Sequence, residues 1–130
     1  MVDKISYAKT VYGEGEISAV VQCLRDSTQM GERSRKFESL IAQLFCKKEC
    51  LYVNSGSSAL QIGVEAFSFP IGSEIITPAL TFGTTLSCIL KNGLIPAFID
   101  VEPLTYCIDA SKIEHMINDK TVAILAPDLL

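Results

Sequence analysis

The sequence predicts an α/β fold whose core is a mostly parallel sheet flanked by helices. Short apolar segments alternate with helical segments between residues 50 and 125, a pattern typical of strand–helix–strand crossovers. The predicted strands are continuous apolar runs, as expected for a sheet that is covered on both faces. Hydrophobic residues make up 48 % of the chain, which suits such a buried sheet.

Two amphipathic helices are predicted in residues 1–50, before the alternating core. The first spans residues 14–26 and a break follows at 27–31. Ser34 is then predicted to cap the second helix. The apolar stripes are formed by Ile17, Val20, Val21 and Leu24 in the first helix, and by Phe37, Leu40, Ile41, Leu44 and Phe45 in the second.

Residues 51–130 are predicted to form the alternating core, and we treat 1–130 as one incomplete domain. Gly93 follows a helix at the position where a left-handed residue ends it. The predicted strands are 50–53, 74–77, 94–99 and 121–125, and the predicted helices are 57–69, 83–92 and 109–118, with Asp109 as the cap of the last.

Charge and hydropathy exclude several functions. The net charge is −4 and no basic run exceeds Lys47-Lys48, which disfavours a nucleic-acid partner. The N-terminus has no signal-peptide pattern, and no apolar run approaches the roughly 18 residues of a membrane span. We therefore expect a soluble, cytoplasmic protein without membrane contact.

The five cysteines do not indicate a metal site. Cys46 and Cys50 are four residues apart, but no second Cys or His pair at zinc spacing follows. Because the number is odd and the cysteines lie within apolar runs, we interpret them as reduced core thiols.

Ligands of open parallel sheets bind outside the carboxyl ends of the strands, which selects three loops. In the first, Gly56 allows a turn, and the amides of Ser57, Ser58 and Ala59 would be free donors in the first helical turn. These amides and the serine hydroxyls could bind a phosphate, or Ser could simply cap the helix. No dinucleotide or P-loop glycine pattern is present.

The other two loops are less informative. Phe82 lies just past a strand end, where its ring could stack on a flat ligand or belong to the core. Asp100 and Glu102 could bind a ligand or be solvated turn carboxylates. His115, the only histidine, is not accompanied by a nucleophile-elbow motif and is not expected to be catalytic.

Taken in order, these loops resemble the DegT/StrS family of pyridoxal-phosphate (PLP) dependent sugar aminotransferases. The matching segments are 53–60, 72–82, 93–103 and 105–109, and Gly31 followed by Phe37-Glu38 fits the family's N-terminal pattern. The resemblance implies the N-terminal part of a type I PLP-enzyme large domain. It assigns Gly56, Ser57 and Ser58 to the phosphate of PLP or pyridoxamine phosphate, and Phe82 to its ring.

The resemblance also implies the partners. Family members are homodimers that transfer an amino group, usually from glutamate, to a nucleotide-linked keto-sugar, for example in O-antigen-type polysaccharide biosynthesis. A related branch instead removes the sugar 3-hydroxyl, and residues 83–85, 91–94 and 127–130 resemble that 3-dehydratase branch. The lysine that carries the cofactor in the family matches none of the eight lysines here. We therefore expect a fragment that is inactive alone, with no catalytic residue.

A hypothesis of a different class stays open. The chain could be a non-catalytic α/β module that binds a phosphorylated ligand or a partner chain, with the serine turn serving only as a helix cap.

Overall fold

A computed structural model describes residues 8–26, 28–29 and 31–127. The chain divides into two compact units, Met1–Tyr52 and Val53–Leu130. The first contains two helices, and the second contains a sheet with its flanking helices. Each unit is described by itself below.

Both helices of the first unit were predicted. Helix α1 spans Glu14–Asp26 and helix α2 spans Glu32–Leu44. Helix α1 carries acidic residues in its first turn and Arg25 in its last, which suits the helix dipole. Asp26 accepts a 2.6 Å hydrogen bond from the Arg33 guanidinium, so an ion pair joins the end of α1 to the start of α2.

The predicted cap of α2 is wrong. The helix begins at Glu32 with Gly31 as its N-cap, and Ser34 lies inside the first turn. Gly31 has φ −160° and ψ −138° and, lacking a side chain, makes no side-chain cap hydrogen bond. Glu32 then supplies a negative charge to the first turn, and the helix dipole favours this.

Cys46 ends α2 in a conformation that usually requires glycine. Its φ is 52°, in the left-handed region. The Lys47 amide donates to the Ala42 carbonyl at 2.8 Å and the Cys46 amide donates to the Gln43 carbonyl at 3.1 Å. These two bonds form a Schellman motif, in which the residue after the C-cap is left-handed.

The predicted strand at 50–53 is not formed. Those residues have no regular secondary structure and pair with no strand among the described residues. Instead, the Tyr52 amide donates to the Glu38 carboxylate at 2.8 Å, and the Tyr52 ring meets Phe37 edge to face at 5.5 Å. An apolar run becomes a strand only where a neighbouring strand takes up its backbone hydrogen bonds.

In the second unit, three strands form a parallel sheet in the order β2-β1-β3. They are β1 (Glu74–Pro78), β2 (Ile95–Ile99) and β3 (Thr121–Ile124). Within the central strand β1, Ile75, Ile76 and Thr77 are at most 1 % exposed. Three predicted strands and their parallel pairing are therefore confirmed, since β1 pairs in parallel with both neighbours.

The helices of this unit are α3 (Gly56–Ala66), α4 (Gly83–Lys91) and α5 (Ile113–Met116). Gly93 takes φ 70° after α4, as predicted. The predicted helix at 109–118 is shorter than expected: Asp109 caps a 3-10 turn, and α5 adds one turn of α-helix. The core of the unit is the cluster of Val64, Ile75, Cys88, Ile89 and Leu94.

Only Cys88 among the five cysteines is buried in the core. Cys46 and Cys107 are exposed, and Cys23 and Cys50 are partly exposed. The interpretation of all five as core thiols is therefore wrong, because an apolar neighbourhood in sequence does not fix which face of an element is covered. Among the described residues, no helix combines the length and apolar character needed to cross a membrane.

Candidate functional site

The candidate site is a cavity of about 880 Å³ in the second unit. Its wall brings together Gly56, Ser57 and Phe82, three of the four residues assigned from the sequence. Ser58 does not line it. The remaining wall is formed by one side of α3 and the residues after it, by the start of α4 and by strand β3. It includes Leu60, Gly63, Phe67, Phe69, Thr84, Thr85, Val122 and Ile124.

Ser55 is the N-cap of α3. Its backbone is extended, at φ −161° and ψ 157°, and its hydroxyl accepts a 3.1 Å hydrogen bond from the Ser58 amide. The Ser55 hydroxyl also donates to the Ser58 hydroxyl at 3.1 Å. The helix thus begins at Gly56, one residue before the predicted start. Sequence reasoning missed this cap because three serines compete for the position.

The early start changes which amides are available. The Ala59 amide donates to the Ser55 carbonyl at 3.0 Å, and the Ser58 amide is used by the cap. The expectation that the amides of Ser57, Ser58 and Ala59 are all free is therefore wrong for the last two. The free first-turn donors are the amides of Gly56 and Ser57, since neither has a partner within the described chain.

The chemistry of this helix end fits a phosphate. Helix α3 has no acidic residue in its first turn, whereas α1 and α2 both do. An anion at this helix end would therefore meet no acidic side chain of the first turn. It would be attracted by two amide donors, the Ser57 hydroxyl and the positive end of the helix dipole. A Cβ built on Gly56 would meet no atom within 4 Å beyond its chain neighbours and the backbone of its own helix, so the space beside it is open.

Phe82 is available to a ligand. Its side chain is 71 % exposed, so it is not part of the core of this unit. It is the N-cap residue of α4, with extended backbone at φ −76° and ψ 141°. Because α4 follows β1 directly, the ring lies at the carboxyl end of the central strand, where ligands of parallel sheets bind.

A pair of threonines flanks Phe82. The Thr81 hydroxyl donates to the Thr85 hydroxyl at 3.1 Å, and Thr85 is only 1 % exposed. The Thr85 amide also donates to the Phe82 carbonyl at 2.9 Å. Sequence analysis missed this arrangement, although two threonines four apart at a helix start were a signal for it.

The third loop does not contribute to the cavity. Glu102 accepts a 3.1 Å hydrogen bond from Thr105, and Asp100 accepts one of 2.9 Å from the Val101 amide. Both carboxylates are thus turn residues, the second of the two interpretations given above. His115 is exposed on α5 and lies outside the cavity wall.

The described cavity wall contains no titratable side chain. Shifted pKa values occur elsewhere: burial raises the pKa of the Cys88 thiol, and hydrogen bonds from Ser111 and Lys112 lower the pKa of Asp109. This wall offers amide and hydroxyl donors and an exposed aromatic ring, but among its described residues none can transfer a proton as general acid or base.

A helix end that fits a phosphate, next to an exposed aromatic ring on a parallel sheet, defines the class of α/β domains that bind a phosphorylated cofactor. The chain belongs to the DegT/DnrJ/EryC1/StrS aminotransferase family, whose profile matches residues 11–130. The resemblance that the sequence motifs suggested is confirmed.

Relatives include both aminotransferases and dehydratases. The chain is 35 % identical over 95 residues to the 3-oxo-glucose-6-phosphate:glutamate aminotransferase of Bacillus subtilis, covering 73 % of this chain and 22 % of that protein. It is 34 % identical over 131 aligned positions to the GDP-4-keto-6-deoxy-D-mannose 3-dehydratase of Yersinia pseudotuberculosis, covering 95 % and 33 %.

Solved structures of relatives confirm the type I fold. A GDP-4-keto-6-deoxymannose-3-dehydratase with a trapped PLP–glutamate geminal diamine superimposes with a TM-score of 0.87 at 29 % identity, covering 95 % of this chain and 34 % of that one. The Helicobacter pylori aminotransferase PseC gives a TM-score of 0.84 at 30 % identity, covering 93 % of this chain and 33 % of that one. The chain thus spans about a third of the length of these structures. The predicted cofactor of the family is confirmed, since relatives are solved with PLP or in a pyridoxamine phosphate form.

Proposed function

We propose that this chain is the cofactor-binding part of a PLP-dependent sugar aminotransferase. The whole protein would transfer an amino group from glutamate to the keto group of a nucleotide-linked sugar, for polysaccharide biosynthesis. The observation that carries the proposal is the single cavity wall shared by Gly56, Ser57 and Phe82. Family membership identifies the ligand class that this wall would take.

Each residue has a separate task in binding. The amides of Gly56 and Ser57 and the Ser57 hydroxyl would donate to the cofactor phosphate. Ser58 would contribute its hydroxyl proton, because its amide is used by the cap and its oxygen already accepts from Ser55. Phe82 would cover one face of the ring. When bound, PLP supplies the electron sink for the reaction, while these residues fix its position.

We expect the 130 residues alone to bind PLP weakly. Two charge-assisted hydrogen bonds contribute about 1.5–3 kcal/mol each and stacking adds about 0.5–1.5 kcal/mol. Immobilising the ligand costs about 4–15 kcal/mol. The balance is at best about −3.5 kcal/mol, which corresponds to a Kd of roughly 3 mM.

A titration tests the cofactor site. PLP is added to the chain at constant ionic strength, and binding is followed by its visible absorbance and by competition with inorganic phosphate. We expect Ser57→Ala to weaken both PLP and phosphate, and Phe82→Leu to weaken PLP alone. Thr105→Val, in the third loop, is the control. Loss of both ligands in Phe82→Leu, or no competition by phosphate, would contradict these assignments.

We also propose that the isolated chain does not catalyse amino transfer. Its cavity wall contains no titratable group among the described residues, and none of its lysines matches the family's cofactor lysine. In an assay that mixes the chain with PLP, glutamate and a nucleotide-linked keto-sugar, we expect no more product than in the same mixture without protein. Protein-dependent turnover would overturn the proposal.

A nucleotide-sugar 3-dehydratase is the second candidate. The specific observation in its favour is the dehydratase of Yersinia pseudotuberculosis, whose alignment covers 95 % of this chain, together with the TM-score of 0.87 to a solved dehydratase. The products separate the two reactions. In the whole protein, an aminotransferase gives a sugar that gains nitrogen from labelled glutamate, whereas a dehydratase gives one that loses its 3-hydroxyl oxygen.

We further propose that the protein acts in the cytoplasm as a homodimer. The family resemblance supports the homodimer, and the exposed apolar side chains of α1 would suit an interface. Sedimentation of the whole protein tests the dimer, and cell fractionation tests the compartment.

A further inference from the structure

The exposed ring of Phe82 has little to hold it in place. The side chain is 71 % exposed, and the aromatic pairs among the described residues, Phe37–Tyr52 and Phe67–Phe69, do not include it. Its position therefore depends on the backbone of the loop between β1 and α4. A ring that must meet a ligand at a defined height and angle binds better when its loop is fixed in advance.

Two of the loop's attachments come from one buried residue. The Thr85 amide donates to the Phe82 carbonyl at 2.9 Å, and the Thr85 hydroxyl accepts from the Thr81 hydroxyl at 3.1 Å. Because Thr85 is 1 % exposed, it is a rigid point of attachment. At the start of the loop, the Ala79 amide donates to the Ile99 carbonyl of β2 at 2.7 Å.

The hydroxyl bond between the threonines is the attachment that a side-chain change can remove. It lies on the residue immediately before Phe82, and no other partner of the Thr81 hydroxyl is present in the described chain. Valine has almost the shape of threonine but cannot donate this bond, whereas serine can. The pair of substitutions thus separates the hydrogen bond from the volume of the side chain.

We propose that Thr81 is a positioning residue that, through its hydrogen bond to Thr85, orients Phe82 toward the ring of the cofactor. The inference rests on the proposed function, because it concerns the same site. It assigns to Thr81 no contact with the cofactor.

The test compares two ligands in three chains. PLP carries both a phosphate and a ring, whereas inorganic phosphate probes the helix end alone. We expect Thr81→Val to bind PLP roughly 2- to 10-fold more weakly, the factor that aromatic stacking contributes, and to bind inorganic phosphate as the unsubstituted chain does. Thr81→Ser should restore PLP binding to within about twofold, because it keeps the donor.

A double substitution provides a readout that general loosening of the fold would not produce. If Thr81 acts through the ring, Phe82→Leu should weaken PLP binding in the unsubstituted chain but change it little in Thr81→Val. The inference would be overturned if the double variant weakened PLP binding by the product of the two single effects. It would also be overturned if Thr81→Val weakened PLP binding and phosphate binding equally. If the unsubstituted chain binds PLP no more tightly than inorganic phosphate, the role of Phe82 is overturned, and this inference with it. Failure to bind either ligand would overturn the proposed function itself.

Discussion

Substitutions of Ser55 can separate the stability of helix α3 from its capacity to bind a phosphate. The Ser55 hydroxyl accepts the Ser58 amide at 3.1 Å, so Ser55→Ala leaves that amide without its cap. Loss of an N-cap costs about 0.5–2 kcal/mol, and because Ser55 is exposed, water replaces part of the bond. We expect a loss of about 0.5–1 kcal/mol, or a Tm lower by roughly 2–8 °C.

Ser55→Asp should keep the stability of the helix but weaken PLP binding. Aspartate is as good a cap as serine and favours the helix dipole, so stability should be kept. For an assumed separation of about 5 Å, a carboxylate and a phosphate dianion would repel each other by about 1.7 kcal/mol even at the dielectric constant of water. This corresponds to roughly 15-fold weaker PLP binding.

Urea unfolding followed by circular dichroism measures stability, and the PLP titration measures affinity. Ser39→Asp in α2 adds the same charge at a residue that does not line the cavity, and it should leave PLP affinity unchanged. Raising the salt concentration should reduce the effect of Ser55→Asp, because screening weakens the repulsion. The reasoning is refuted if Ser55→Asp binds PLP as tightly as the unsubstituted chain. Unchanged stability in Ser55→Ala would show that the cap contributes nothing.

Three further predictions concern stability and reactivity. Cys46→Gly should stabilise the chain by about 1 kcal/mol in urea unfolding, because φ 52° disfavours any residue with a Cβ; a lower midpoint would contradict the Schellman assignment. Gly93→Ala should destabilise the chain by about 1–2 kcal/mol in the same assay, because φ is 70° and the new Cβ would lie 3.3 Å from Ile71 Cγ2; an unchanged midpoint would contradict this. At pH 8, a thiol reagent should modify Cys46 and Cys107 before Cys88, whose burial raises its pKa and so keeps it protonated; mass spectrometry of the peptides gives the order.

Local patterns were sufficient for most of the secondary structure. Apolar spacing was enough to predict helix α1 and strand β1. The tolerance of glycine for the left-handed region was enough to predict that α4 ends at Gly93. These features depend on residues within one or two turns of one another. The parallel pairing also followed, because continuous apolar strands separated by helices have few other arrangements.

The errors occur where a local signal needs a distant partner. The apolar run at 50–53 looked like a strand, but whether it pairs depends on a neighbour that the run itself does not specify. Ser34 looked like a cap, but Gly31 and Glu32 start the helix earlier. The exposure of Cys46 and Cys107 likewise depends on which faces other elements cover.

At the phosphate turn, an error of one residue changes the chemistry. A helix starting at Ser57 would offer the amides of Ser57, Ser58 and Ala59, whereas the observed start at Gly56 offers those of Gly56 and Ser57. The main donors thus include a glycine whose φ is not positive, and whose Cβ would meet no part of the protein. The fold itself does not need glycine there, so we infer that the ligand does.

Gly56→Ala tests that inference. Alanine should be tolerated and should stabilise the helix by up to about 1 kcal/mol, because glycine has the lower helix propensity. The added methyl group would occupy the open space beside the free amide, so PLP and inorganic phosphate should both bind several-fold more weakly. Gly15→Ala in α1, where a Cβ also meets nothing, is the matched control for propensity and should leave binding unchanged. If Gly56→Ala is stable and binds phosphate normally, the anion does not approach this amide, and the phosphate site must be sought elsewhere on the cavity wall.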